Sequence, residues 1–210
     1  MRYVATRVSG PAEEPITRGE AKLHLKIESG QTDDDELIDA LVSAAREACE
    51  EFTNRCLVWS NWELRLDEFP TDLDGEIRLP RPPLRQVLAV RYVDADGAKQ
   101  LLGSGNYLVD DRSEPARVRP AYGLQWPATR QQMGAVTVEY VAGYPIDDAG
   151  SPTDWSAGVP KPIVAALKLQ LGHLYRNREA VNIGNIVTEL DLAVRWLLWQ
   201  HRVTDYLFSA

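Results

Sequence analysis

At 210 residues, with 44% hydrophobic and 26% charged side chains, the chain has an ordinary globular composition, which argues against disorder and allows one substantial domain or two small ones. The formal net charge of −8 is uneven: residues 1–56 carry 7 basic and 12 acidic groups, residues 57–159 carry 10 and 15, and residues 160–210 carry 6 and 4. A protein that grips DNA by its phosphates needs a concentrated positive surface, so this balance argues against tight nucleic-acid binding but permits a channel wall along which DNA slides without being held.

The opening residues, MRYVATRVSGPAEEPIT, contain no apolar run of signal-peptide length, and no later segment approaches the ~20 uninterrupted apolar residues that span a bilayer. No membrane contact is expected, and synthesis in the cytosol is. Thr17 followed by Glu20 reads as a capping box that opens a short helix through AKLHLKI, with Leu23 and Ile27 on one face. A stronger helix is predicted from about Asp34 to Asn54. Asp33 can cap it, its acidic first turn suits the helix dipole, and Leu37, Ile38, Leu41, Val42, Ala45, Cys49 and Phe52 recur at helical spacing. Cys49 and Cys56, seven apart on what reads as one helix, would stand about 10 Å from each other, too far for a disulfide, so two reduced thiols are expected.

From Leu57 the period changes from 3.6 to 2, in WELRL, EIRL, VLAVRYV, YLVD, ARVRP and VTVEYVAGY. An antiparallel β module of about six strands is predicted, with Pro80, Pro82 and Pro83 at an edge or corner and a linker from Pro145 to Pro162. Helical periodicity then resumes in IVAALKLQLGHLYRNRE, where Ile163, Leu167, Leu171 and Leu174 form a stripe flanked by Val164 and Leu169, which marks a central helix. After a turn through Asn182–Asn185, the last helix places Leu192, Trp196 and Trp199 on one face with Val203 nearby. The expected fold class is α+β: a small helical bundle formed by N- and C-terminal helices, residues 1–56 and 160–210, interrupted by an antiparallel β module with its linker, residues 57–159.

Motifs for chemistry are sparse. His24, His173 and His201 lack zinc-ligand spacing, and DLDG (72–75) and DADG (94–97) fit hairpin turns better than calcium loops. No phosphate-binding glycine loop or nucleophile elbow is present, so no cofactor and no catalytic residue is assigned. The Arg/Glu/His cluster near 173–179 is the one place a hydrolase reading could start. Arginines there, at the end of a helix, also have a plain role in holding its last carbonyls. Trp59, Trp62 and Trp126 fall in or beside strands, where packing is the default. Trp196 and Trp199 either pack on the central helix or dock on another chain; docking is favoured because aromatic residues anchor interfaces.

The early TRGEAKLHLKI helix, the acidic DDDELIDALVSAAREACEEFTNR helix, the strands WELRLDEFP and IRLPRPPL, and VPKPIVAALKLQLGHLYRNREAV resemble, in this order, the head–tail connector (adaptor) proteins of long-tailed phages and phage-derived gene transfer agents. The resemblance spans nearly the whole chain. It implies a structural virion protein rather than an enzyme, placed at the head–tail junction of a phage-like particle. Copies would form a ring, commonly dodecameric, on the portal of the DNA-filled head, with a tail-side neck or stopper protein beyond it and DNA passing through unbound. It further implies a polar joint between subunits at Tyr175, Arg176, Asn177, Arg178 and Glu179, and portal docking by Trp196, Trp199, Tyr206, Leu207 and Phe208. The β module is larger than in the shortest, almost wholly helical connectors. The alternative within the same setting is another neck or tail-completion protein.

Overall fold

In the computed structural model, residues 3–11, 13–71, 75–144, 158–177 and 187–204 are described, the side chains of 187–191 excepted. The elements run β1 (Tyr3–Ser9), α1 (Arg18–Leu25), α2 (Asp35–Thr53), β2 (Ser60–Leu66), β3 (Ile77–Leu79), β4 (Leu84–Val93), β5 (Lys99–Leu102), β6 (Tyr107–Asp110), β7 (Ala116–Pro120), β8 (Val136–Ala142), α3 (Lys161–Arg176) and α4 (Val187–Trp199). The fold is α+β. Its described residues fall into two compact units, one within residues 1–11 and 59–143, the other within 12–58 and 144–204.

The first unit holds two antiparallel sheets, one ordered β1-β2-β8-β4-β5 and one ordered β3-β7-β6. Strict alternation builds them: Trp62, Leu64 and Leu66 of β2 and Val136, Val138, Tyr140 and Ala142 of β8 are buried, while the residues between them are not. LPRPPL carries the chain from β3 in the small sheet to β4 in the large one, the corner expected of its prolines. DADG makes the β4–β5 turn, with Asp94 Oδ1 accepting from the Asp96 and Ala98 amides at 3.1 and 2.8 Å. DLDG, apart from Gly75, lies outside the described residues. Two strands have no counterpart in the sequence reading. β1 sits in the segment that opens the chain, where its exposed Val4 and Val8 give no buried alternate face, and β5 is only four residues long.

The second unit is the helical bundle. Its core contains Ile38, Val42, Ala45 and Cys49 of α2, Ile163, Leu167 and Leu171 of α3, and Val194 and Leu198 of α4. Helix α3 packs against all three others, the central position its apolar circumference called for. A Cβ at Gly172 would lie 3.4 Å from His24 Nε2, so the glycine lets α1 approach α3 closely. The capping box forms as read: the Glu20 amide donates to Thr17 Oγ1 at 3.2 Å, and the Thr17 amide donates to Glu20 Oε2 at 2.9 Å.

Several local expectations are corrected. Helix α1 stops at Leu25 because Lys26 turns left-handed; Leu23 is exposed, and the buried residues are Ala21 and Lys22, whose ammonium reaches the Gln31 carbonyl at 2.7 Å. The N-cap of α2 is Asp34, not Asp33, and its carboxylate makes no capping bond. Cys56 lies beyond the end of α2, so the two cysteines do not share a helix; both are buried, free thiols. Burial, and then the neighbouring Glu50 charge, push the Cys49 thiol up to about 12, which keeps it protonated and inert.

Candidate functional site

Among the described residues no group of His, Cys, Asp and Glu is arranged to hold a metal ion. In the polar stretch at the end of α3, Tyr175 and Asn177 bond within the chain. The Tyr175 hydroxyl donates to Asp34 Oδ2 at 2.6 Å and so ties the end of α3 to the start of α2. The Asn177 backbone amide and side-chain amide both donate to the His173 carbonyl, at 3.0 and 2.9 Å. The helix is therefore capped by Asn177, not by an arginine, because the short amide reaches the orphan carbonyl one turn back while Arg176 extends into solvent. Arg178 and Glu179 lie outside the described residues.

The last helix presents a different surface. Val194 and Leu198 face the core at 8% and 2% exposure, whereas Leu192, Trp196 and Trp199 stand 63%, 68% and 63% exposed on the opposite side. The shared face read from the sequence exists, and of the two readings it is the outward one. With a spacing of four and then three residues, these side chains form one apolar surface continued by Ala193 and edged by Arg195. A patch of two tryptophans and a leucine on one helix is the kind of surface that marks a protein contact.

The platform beneath that surface is stiff. The backbone after α4 is stitched to the end of α2: the Val203 amide donates to the Thr53 carbonyl at 2.9 Å, Asn54 Nδ2 to the Val203 carbonyl at 3.0 Å, and Arg55 Nε to the His201 carbonyl at 2.6 Å. The Arg202 guanidinium stands over the rings of Trp199 and Phe52, at 5.7 and 5.8 Å. These bonds fix the orientation of α4 and the point from which the C-terminal segment departs. Tyr206, Leu207 and Phe208 lie outside the described residues. Sequence reasoning found the aromatic face but missed this stitch, since Asn54 and Arg55 carry no local signal for a partner about 146 residues away.

The sheet unit offers a second concave surface. Trp126 stacks on Phe69 with ring centroids 4.6 Å apart and donates its indole N–H to the Gly75 carbonyl at 2.7 Å. Leu108, Tyr122 and Leu124 rim the hollow, Tyr122 fully exposed. Trp62 is buried, and Trp59 lies under the Arg85 guanidinium at 3.5 Å, so these tryptophans pack within the unit.

No protein-family model and no curated protein matches the chain. Solved structures do. A chain from the neck of an empty gene transfer agent particle, computed with C6 symmetry, superposes with a TM-score of 0.73 at 21% identity over 96% of both chains. A chain from the virion of a native gene transfer agent particle gives 0.71 at 22% identity over 95% of both. One from the neck of the native particle, computed with C12 symmetry, gives 0.70 at 19% identity over 96% of both. Almost end to end, and with both units included, the chain thus has the fold of a chain found in the gene transfer agent particle.

Proposed function

We propose that the chain is a structural protein of the neck of a phage-like particle, a connector whose copies form a ring joining the portal of the DNA-filled head to the tail. The observation that carries this reading is the likeness of fold over 96% of this chain and 96% of a neck chain. The helical segments within residues 1–56 and 160–210 are the connector domain, and residues 57–159 are the β module. The particle necks with that fold were computed with six- and twelve-fold symmetry, which supports a cyclic assembly. The acidic balance of the chain suits a channel that lets DNA pass without binding it.

On this reading the α4 face is a docking surface within the neck. The connector resemblance gives Trp196 and Trp199, with Tyr206, Leu207 and Phe208, to the portal, and Tyr175 to Glu179 to the joint between subunits. Two experiments test the reading. Native mass spectrometry of the full chain is expected to find cyclic oligomers; a strictly monomeric chain that is also absent from purified particles contradicts it. Deleting residues 206–210 is expected to leave the circular dichroism spectrum unchanged and to weaken attachment to portal-bearing heads, and unchanged attachment removes the tail from the portal contact.

A further inference from the structure

The outer faces of α2 and α4 differ in complementary ways. On α2, Ala40, Ala44 and Ala48 are all exposed and repeat every four residues, so they form a ridge with nothing larger than a methyl group. Exposed Glu36, Glu47 and Glu51 lie within the same arc of the helix. On α4, Leu192, Trp196 and Trp199 stand about two-thirds exposed, with the spacing by which one helix anchors itself on an apolar partner. Exposed Arg195 borders that face, and Arg202 lies over Trp199.

We propose that in the assembled ring the α4 face of one copy packs on the α2 ridge of the next. The inference rests on the ring reading above and names the partner of its docking surface. A closed ring needs two different faces on every subunit, and these two helices supply them. Alanines let a second helix approach closely, and large aromatic side chains fill the space that small ones leave. Charge selects the same pairing: Arg195 and Arg202 beside the aromatic face meet Glu47 and Glu51 beside the ridge. The self-pairings are disfavoured by charge, because α2 on α2 sets glutamates against glutamates and α4 on α4 sets arginines against arginines. Trp196 and Trp199 then serve the ring, and the portal contact falls to Tyr206, Leu207 and Phe208.

The test uses the full chain carrying both Ala44→Cys and Ala193→Cys, which keep Trp196 and Trp199 in place, treated with a short bis-maleimide. The native thiols do not compete, since Cys49 and Cys56 are 1% and 0% exposed. Denaturing electrophoresis is expected to show a covalent ladder of copies for the double variant and none for either single variant. Rings seen by native mass spectrometry without that ladder overturn the inference and leave the ring reading standing. Independently, Ala44→Arg and Trp196→Ala are each expected to lower the fraction of chain in rings at least about tenfold at fixed concentration, as loss of an interface anchor does. Rings unaffected by both substitutions, with portal attachment lost in Trp196→Ala, would return the face to the portal. A wild-type chain that forms no ring, free or on particles, brings down the ring reading itself.

Discussion

The two units fix their geometry by different means. In the sheet unit, ladder hydrogen bonds between strands set register, and ion pairs such as Arg91 with Glu139, Arg65 with Glu63 and Arg117 with Asp110 lie at the surface. Helices share no ladder of backbone bonds, so apart from the Val203–Thr53 bond the helical unit relies on side chains. Arg46, 3% exposed, donates to Glu14 Oε2 and to Glu50 Oε2, each at 2.8 Å, and the other Glu50 oxygen accepts from the Leu57 amide at 2.8 Å. One buried arginine thus joins the entry to α1, the body of α2 and the chain leaving α2. The difference is one of specificity: buried polar bonds define one arrangement of a helix bundle where apolar packing alone tolerates several.

The largest expected effect breaks the comparison at that arginine. Arg46→Leu leaves the Glu14 and Glu50 carboxylates without their cation and is expected to destabilise the helical unit by about 3–5 kcal/mol. Urea unfolding followed by helical circular dichroism reads it, and a loss below about 1 kcal/mol would show that the network is incidental. Next, Leu167→Ala opens a cavity in the fully buried centre of α3 and is expected to cost about 3 kcal/mol in the same measurement. Thr17→Ala removes one half of the capping box and is expected to cost about 1 kcal/mol. At the small end, Arg91→Ala is expected to leave the urea midpoint unchanged within error, because its pairing with Glu139 is exposed to solvent.

Acid sharpens the contrast in another way. The Thr17 backbone bond holds Glu20 below its ordinary value of 4.5, Arg18 does the same for Asp39, and Ser113 followed by Arg117 for Asp110, both ordinarily at 3.8. Groups depressed in the folded state contribute stability that is complete above their ordinary values and is lost as pH falls through the depressed ones. Stability in both units is therefore expected to be flat with respect to these groups from neutral pH to about pH 5 and to fall below pH 4. Glu20→Gln, which cannot titrate, should remove the Glu20 share of that acid loss, measured as a shallower decline of the urea midpoint.

Much of this molecule was legible from local pattern. Alternation is unambiguous where one face of a strand is buried, as in VTVEYVA, and helical periodicity is unambiguous where the core is a stripe, as in α2 and α3. β1 escaped because its exposed face carries Val4, Thr6 and Val8, which blur the alternation, and because it pairs with β2 more than fifty residues on. The face shared by Leu23 and Ile27 does not form, because a left-handed residue at Lys26 ends the helix two residues before Ile27. For the candidate site, sequence found the aromatic face and could not say whether it turned inward, since Val194 and Leu198 offer an equally apolar alternative on the other side of α4. The Arg46 network and the stitch at Arg55 depend on contacts between distant segments, which residue spacing does not encode.

Electron microscopy of purified phage-like particles, with a label on this chain, tests the central claim most directly. Density for a ring of copies is expected at the head–tail junction, coaxial with the portal and open along its axis. Intact particles with a complete neck and no copy of this chain in it would contradict the account.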